Sequence, residues 1–415
     1  MSYLPRVADQ ELADRLGRSG AVLIEGAKWC GKTQTALQAA GSVLQVDTDL
    51  DVPELMQVDP TLLLEGATPR LLDEWQWQPK LWDHVRHAVD DRREAGQFIL
   101  TGSATPDQDV RRHSGAGRFS VMRLRPMSLW ESGYSSGQVS LGDIRRGRPV
   151  RAPADHRSIV EIAETVVRGG WPATVGMDLS TASSYVLDYL ELLAEADISH
   201  AFETRRDPVR VRQLLASLGR NTATTASVST LVADVGQVGG SLSREAATAY
   251  LVALERLMIT ENQPAWSTAL RDAAKLRQAP KRHLVCPSLA AATMGATADK
   301  LVREPKTLGA LFESQVVRDL RVYSSRERGR LYHHRDSRSR EIDIIVEYPD
   351  GWVAVEVKLG AGGVEAAVAN LLRVTATIDT QMVGEPDALV VVTGSGAAYR
   401  RKDGVVVVPL GALRP

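Results

Sequence analysis

Residues 26 to 33 read GAKWCGKT, directly after the apolar run AVLIE and opening into TQTALQAA. A buried strand that turns through two glycines into a helix, at the spacing G-x-x-x-x-G-K-T, is the context a phosphate-binding loop requires. Gly26 and Gly31 permit the tight backbone whose amides, with the helix amino terminus, surround a β-phosphate. Ala27, Lys28, Trp29 and Cys30 fill the intervening positions and contribute main chain. The spacing assigns Lys32 to the β and γ oxygens of ATP and the Thr33 hydroxyl to Mg²⁺. A loop of this kind commits the first part of the chain to a parallel α/β sheet.

The neighbouring segments fit that frame. AVLIEG, TQTALQAA, SVLQVD, PRLLDE, LWDHVRHAV and QFILTGS alternate strand-like and helical patterns, a βαβ rhythm. RLLDEWQ is an apolar strand ending in two carboxylates. Asp73 suits the Mg²⁺ shell, and Glu74, placed on the opposite side by strand alternation, suits the base that orients a water. At the end of QFILTGS, Ser103 or Thr101 is positioned to sense a γ-phosphate, with a helix cap as the other use of Ser103. Arg118 is a candidate for transition-state charge, in cis or from a second copy in a homo-oligomer.

A chain of 415 residues exceeds one hydrophobic core, and the pattern divides it at 1–150, 151–300 and 301–415. Residues 133 to 158, rich in Gly, Ser, Pro and Arg, read as a connection or an inserted loop. No apolar run approaches the roughly 20 residues of a membrane span. The first ten residues, MSYLPRVADQ, lack the core of a signal peptide, and the only two cysteines, Cys30 and Cys286, are far apart in sequence. A cytoplasmic protein with reduced thiols is expected. A net charge of −1 excludes a global pull on nucleic acid, but eight arginines and two histidines between Arg318 and Arg340 face only Asp319, Glu327 and Asp336.

Three helical stretches between residues 209 and 263 have the order of a winged helix-turn-helix, with Ser243 capping the third. Arg244, Thr248 and Tyr250 fall where such a helix reads base edges, and Arg205, Arg206, Arg210 and Arg212 lie nearby. The alternative is a packing adaptor that never touches DNA. Farther on, EIDIIVEY and VAVEVKLG carry Asp343, then Glu356 and Lys358 on one strand face. A hairpin through Tyr348 to Gly351 brings Asp343 to Glu356, so two carboxylates and the Val357 carbonyl hold Mg²⁺ while Lys358 positions or activates water beside a phosphate. Glu313, on the preceding helix, adds an outer carboxylate, and the arginine-rich segment is placed to hold DNA phosphates.

Helix with glutamate, strand with aspartate and strand with E-x-K resemble the PD-(D/E)xK nuclease fold. YLPR, LDVPELMQVDP, LLDEWQ, ILTGS, GRF with RPMSLWE, and RGGWP together resemble a prokaryotic AAA+ ATPase family close to the archaeal-type and STAND-like ATPases. Its members end in a domain of unknown function. The resemblance implies the same roles for Lys32, Thr33, Asp73 and Glu74, and a place for Arg6 near the nucleotide base. Lys28, Trp29 and Cys30 stand where the family has arginine, glutamine and valine. The expected fold is thus α/β multidomain: an AAA+ P-loop domain with a parallel sheet and flanking helices, a helical winged-helix middle and an α/β restriction-endonuclease-like end. The expected activity is ATP hydrolysis coupled to DNA cleavage. An ATP-gated binding switch without cleavage, or a toxin or defence component with a partner from a neighbouring gene, stands as the alternative.

Overall fold

A computed structural model describes residues 3–102, 115–198, 207–267, 278–336 and 338–415. Its contacts gather into two compact units, one of Met1–Pro126 with Arg256–Met258 and one of Met127–Glu255 with Ile259–Pro415.

The first unit is built on five parallel strands, β1 (Ala21–Glu25), β2 (Ser42–Gln45), β3 (Arg70–Asp73), β4 (Phe98–Gly102) and β5 (Phe119–Arg123), in the order β2-β3-β4-β1-β5. The central strands β1, β3 and β4 are buried along nearly their whole length because helices cover the sheet. Around it lie α1 (Val7–Leu16), α2 (Lys32–Leu37), α3 (Val52–Val58) and α4 (Leu81–Arg92). Leu23, Leu72, Phe98 and Leu100 of the strands pack with Leu81, Val85 and Val89 of α4 in one core. Gly20 is needed just before β1, since a β-carbon there would lie 2.4 Å from Val89 Cγ1. All five strands run the same way, so the turns after β1, β3 and β4 open at one end of the sheet, the end where α/β proteins hold ligands.

The second unit carries a mixed sheet of seven strands. These are β7 (Arg151–Asp155), β8 (Arg330–Arg335), β9 (Glu341–Tyr348), β10 (Gly351–Lys358), β11 (Ala388–Thr393), β12 (Gly396–Arg400) and β13 (Val406–Pro409), ordered β7-β12-β13-β11-β10-β9-β8. A small pair, β6 (Val139–Ser140) with β14 (Leu413–Arg414), lies apart. Residues 133–158 are therefore not a mere connection. β7 forms the edge of the large sheet, where Pro153 removes no needed ladder bond, and only Ala152 of its side chains is buried. The intervening α5 (Leu141–Arg145) is pinned by Arg145, which bonds Glu327 at 3.0 Å and Asp387 at 2.8 Å, also contacts Asp350, and lies 4.1 Å over the Tyr348 ring. Local composition could not show those partners, which are about 180 to 240 residues away in sequence.

Helices α6 (Ile159–Arg168), α7 (Leu179–Leu192), α8 (Pro208–Arg220), α9 (Val228–Gln237) and α10 (Arg244–Arg256) follow. Their starts are written in the sequence: Ser158, Asp178, Asp207, Ser227 and Ser243 each accept a backbone N–H of the first turn. After α10, Thr260 bridges Leu284 and Gln263 bridges Lys281, both antiparallel. Then come α11 (Pro287–Thr293), α12 (Ala298–Arg303) and the long α13 (Pro305–Ser324). Between β10 and β11 runs α14 (Val364–Thr375), whose Ala367, Val368 and Leu371 pack with Trp266, Ile345 and Trp352. The sequence places divisions at 150 and 300, whereas the contacts join everything from Met127 to Glu255 with the carboxyl-terminal sheet.

Candidate functional site

The phosphate loop leaves β1 and enters α2 through Gly31, whose φ of 103° is open to glycine but strained for other residues. Gly26 is required for a different reason: a β-carbon there would lie 2.3 Å from the Leu124 carbonyl oxygen and 2.8 Å from Cys30 Sγ. Ala27 and Cys30 are fully buried beneath the loop, while Trp29, at φ 62°, projects outward with 69% of its surface exposed. Lys32 is buried, and its ammonium donates to the Gly26 and Ala27 carbonyls, each at 3.0 Å. The cation is thus stored inside the turn it serves. The Thr33 hydroxyl donates to Asp73 Oδ1 at 3.0 Å, bringing two hard oxygen donors together at the end of β3. Thr101 of β4 donates to the same carboxylate oxygen. Both residues therefore orient Asp73, and Thr101, almost fully buried, serves β3 rather than facing outward. Ser103 lies outside the described residues.

Glu74 departs from the expected geometry. β3 ends at Asp73, and Glu74 occupies the left-handed region at φ 52°, ψ 41° before the short turn Trp75–Trp77. That turn, rather than strand alternation, aims its carboxylate, which accepts a hydrogen bond from the Gln76 side-chain amide. Arg6 is buried and clamps the loop from beneath. Its guanidinium donates to the Cys30 carbonyl at 3.1 Å and the Arg125 carbonyl at 2.8 Å, so it serves the loop's backbone, where a place near the nucleotide base was expected.

Arg118 requires a correction. It precedes β5 and accepts from Ala21 N at 3.1 Å through its own carbonyl, so it sits beside the start of β1, whereas the phosphate loop follows that strand's end. Five strand residues at about 3.3 Å each separate the two by about 16 Å. Its guanidinium instead pairs with Asp90 of α4 at 2.8 Å. A contribution in cis to phosphate chemistry is excluded by that distance.

In the second unit, β9 and β10 pair antiparallel from Tyr348–Gly351 to Ile344–Val355, and the next step brings Asp343 alongside β10. Asp343 Oδ2 accepts the Val357 N–H at 2.9 Å and lies 3.9 Å from Lys358 Nζ. Lys358 also bonds Glu356 at 3.0 Å, and the Asn370 amide of α14 donates to the other Glu356 oxygen at 2.9 Å. Glu313 of α13 approaches from outside the sheet. Between Glu313 and Asp343 stands a residue the motifs did not mark, Lys281, at 2.7 Å and 3.5 Å respectively. Among the described residues no three His, Cys, Asp or Glu side chains are gathered as a metal-holding group. The carboxylates Glu313, Asp343 and Glu356 are brought into one cluster, but lysines rather than open space lie between them.

Burial shapes the charge of this cluster. Removal from water, then the field of Asp343, raises both Glu313 and Glu356 from the ordinary 4.5 to about 7. Burial works against charge on Lys281, but Glu313 and Asp343 outweigh it and hold its pKa above the ordinary lysine value. Lys358 is shifted the same way, with burial again opposed by Asp343 and Glu356.

Residues 18–132 match the model of an AAA domain. Two further segments, 159–300 and 308–413, match domains of unknown function, DUF8612 and DUF4143. The chain is 24% identical over 413 residues to the uncharacterized proteins Rv2008c of Mycobacterium tuberculosis and Mb2031c of Mycobacterium bovis, covering 97% of this chain and 83% of each relative. Among solved structures it is similar to a Walker-type ATPase of Pyrococcus abyssi, with TM-score 0.43 and 12% identity, covering 70% of this chain and 96% of that one. The match of residues 18–132 to an AAA domain supports ATP binding and hydrolysis by the amino-terminal segment. No helix among the described residues is long and apolar enough to cross a membrane.

The basic segments are less uniform than their sequence implies. Arg318 is buried and paired with Asp319 at 2.6 Å, Arg321 is buried against the Glu261 and Asn262 carbonyls, and His333 and His334 are buried as well. Arg340 is bound to Asp336 at 2.6 Å and Arg335 to Glu341 at 3.2 Å, whereas Arg326, Arg328, Arg330 and Arg338 are exposed. In the helical middle, Arg212 bonds Glu191 and Glu195, and Arg210 faces Asp207. Tyr250 is buried and cannot reach a base edge, while Arg244 and Thr248 are exposed. Arg205 and Arg206 lie outside the described residues.

Proposed function

We propose that this protein binds ATP with Mg²⁺ at its AAA domain, hydrolyses it, and uses the cycle to control a carboxyl-terminal site that acts on DNA. The observation that carries the first part is the junction of Thr33 and Asp73 beside the buried Lys32. Gly26 and Gly31 permit the tight turn whose amides would surround phosphate, and Lys32 exchanges two carbonyls for the β and γ oxygens. Thr33 and Asp73 are the donors that fit Mg²⁺, which when bound neutralises charge on the phosphates. Thr101 keeps Asp73 turned toward Thr33. Glu74, held by Gln76, takes the proton of the attacking water.

The second part rests on Glu313, Asp343, Glu356 and Lys358 converging through β9, β10 and α13, the constellation of a nuclease-like site in which Mg²⁺ is again the fitting ion. Helices α8 to α10 supply a winged-helix element with Arg244 and Thr248 outward. The domains are then 1–150, 151–300 and 301–415, with β7 contributed to the last. The lysines seated among the carboxylates favour the second reading, an ATP-gated DNA-binding switch without cleavage. Incubating linear, supercoiled and single-stranded DNA with the parent and with Asp343→Ala, in Mg²⁺ or Mn²⁺ with and without ATP, separates the readings. Cleavage by the parent that Asp343→Ala abolishes supports the nuclease; ATP-dependent DNA binding with no cleavage supports the switch; neither binding nor cleavage refutes the DNA role.

A further inference from the structure

The charged groups of the carboxyl-terminal cluster alternate in sign: Glu313, Lys281, Asp343, Lys358, Glu356, with successive separations of 2.7, 3.5, 3.9 and 3.0 Å. Lys358 belongs to the E-x-K strand, but Lys281 comes from a separate segment and is only 5% exposed. Its backbone is fixed by paired hydrogen bonds with Gln263, each 2.9 Å. Gln263, fully buried, is itself tied by its side-chain amide to the Tyr332 carbonyl at 2.7 Å and the Asp343 carbonyl at 3.1 Å. The root of Lys281 is therefore stitched to β8 and β9, and its ammonium is delivered to the space between Glu313 and Asp343.

We infer that Lys281 is a built-in counter-ion that occupies the cation position of this cluster and holds it closed to divalent metal. The inference rests on reading Glu313, Asp343 and Glu356 as a metal site. A divalent ion draws carboxylate oxygens to within about 2.0–2.6 Å of one point, and an ammonium lying between the same oxygens excludes it by both volume and like charge. Lysine suits a removable plug, because its charge rides on a flexible four-carbon stem and is not locked by a bidentate fork. With the ammonium displaced, Glu313 and Asp343 would be the residues left to hold a divalent ion, whereas the closed cluster is internally compensated.

The test is Mn²⁺ titration by calorimetry and thermal melting, without nucleotide, in an Asp73→Asn background that removes the metal-binding carboxylate of the AAA domain. Lys281→Met and Lys281→Gln are compared with the background chain and with Lys281→Arg, which keeps a cation. The expected result is Mn²⁺ affinity higher by roughly tenfold or more in the Met and Gln variants, a melting temperature that Mn²⁺ raises in them, and no such gain in Lys281→Arg. A gain in neither Met nor Gln variant, with melting unmoved by Mn²⁺, overturns the counter-ion role. If the background chain itself binds Mn²⁺ tightly in that case, the metal-site reading survives; if nothing binds, both fall.

Discussion

Single residues here do work that their type alone does not announce. Lys32 is parked on the Gly26 and Ala27 carbonyls, so nucleotide binding is an exchange of partners for a cation already in place. Asp73 is held by two hydroxyls from different segments, Thr33 and Thr101. In the other unit, Glu313 and Glu356 titrate near 7 because burial, and then Asp343, penalise their charge. The folded state therefore keeps protons that the unfolded chain has released above its ordinary 4.5. Their contribution is fully present below that value and is lost as pH rises through about 7. Resistance of the carboxyl-terminal unit to urea is expected to fall between about pH 5 and pH 8, and Glu313→Gln to flatten that fall. Equal slopes in parent and variant, measured by urea unfolding across this range, would contradict the assignment to Glu313.

At the scale of elements, direction decides what a side chain can reach. Parallel strands place Gly26, Asp73 and Thr101 at one end of the sheet and Arg118 at the other. Arg118→Ala is accordingly expected to leave ATP turnover of an isolated protomer unchanged. A drop in turnover that grows with protein concentration would instead reveal an arginine supplied by a second copy. The loop, its strand and its helix were legible in GAKWCGKT because the motif needs that one local context. Asp73 was legible as the polar end of an apolar run. Glu74 was misjudged because alternation was carried one residue past the strand, into a left-handed turn. β7 escaped notice because an exposed edge strand with a proline lacks a strand-like pattern, and Lys281 because a residue near in space but 62 positions before Asp343 leaves no spacing signal.

Over the whole molecule, a net charge of −1 leaves DNA binding to local patches. Burial of Arg318 and Arg321 removes them from that role and leaves Arg326, Arg328, Arg330 and Arg338 as the exposed cations among the described residues of the segment. Replacing those four with alanine is expected to weaken DNA binding irrespective of sequence and to flatten the slope of log affinity against log salt by up to about 0.9 per lost phosphate contact; an unchanged slope assigns the segment to solvent alone. These expectations stand downstream of the AAA domain, whose activity is the central claim. The direct measurement is ATP binding and steady-state hydrolysis by the purified parent, Lys32→Ala and Glu74→Gln. Lys32→Ala is expected to lose nucleotide binding, and Glu74→Gln to bind ATP while its turnover falls on the order of a hundredfold or more, as for a lost general base. Turnover in both variants equal to that of the parent would contradict the assignment of the site.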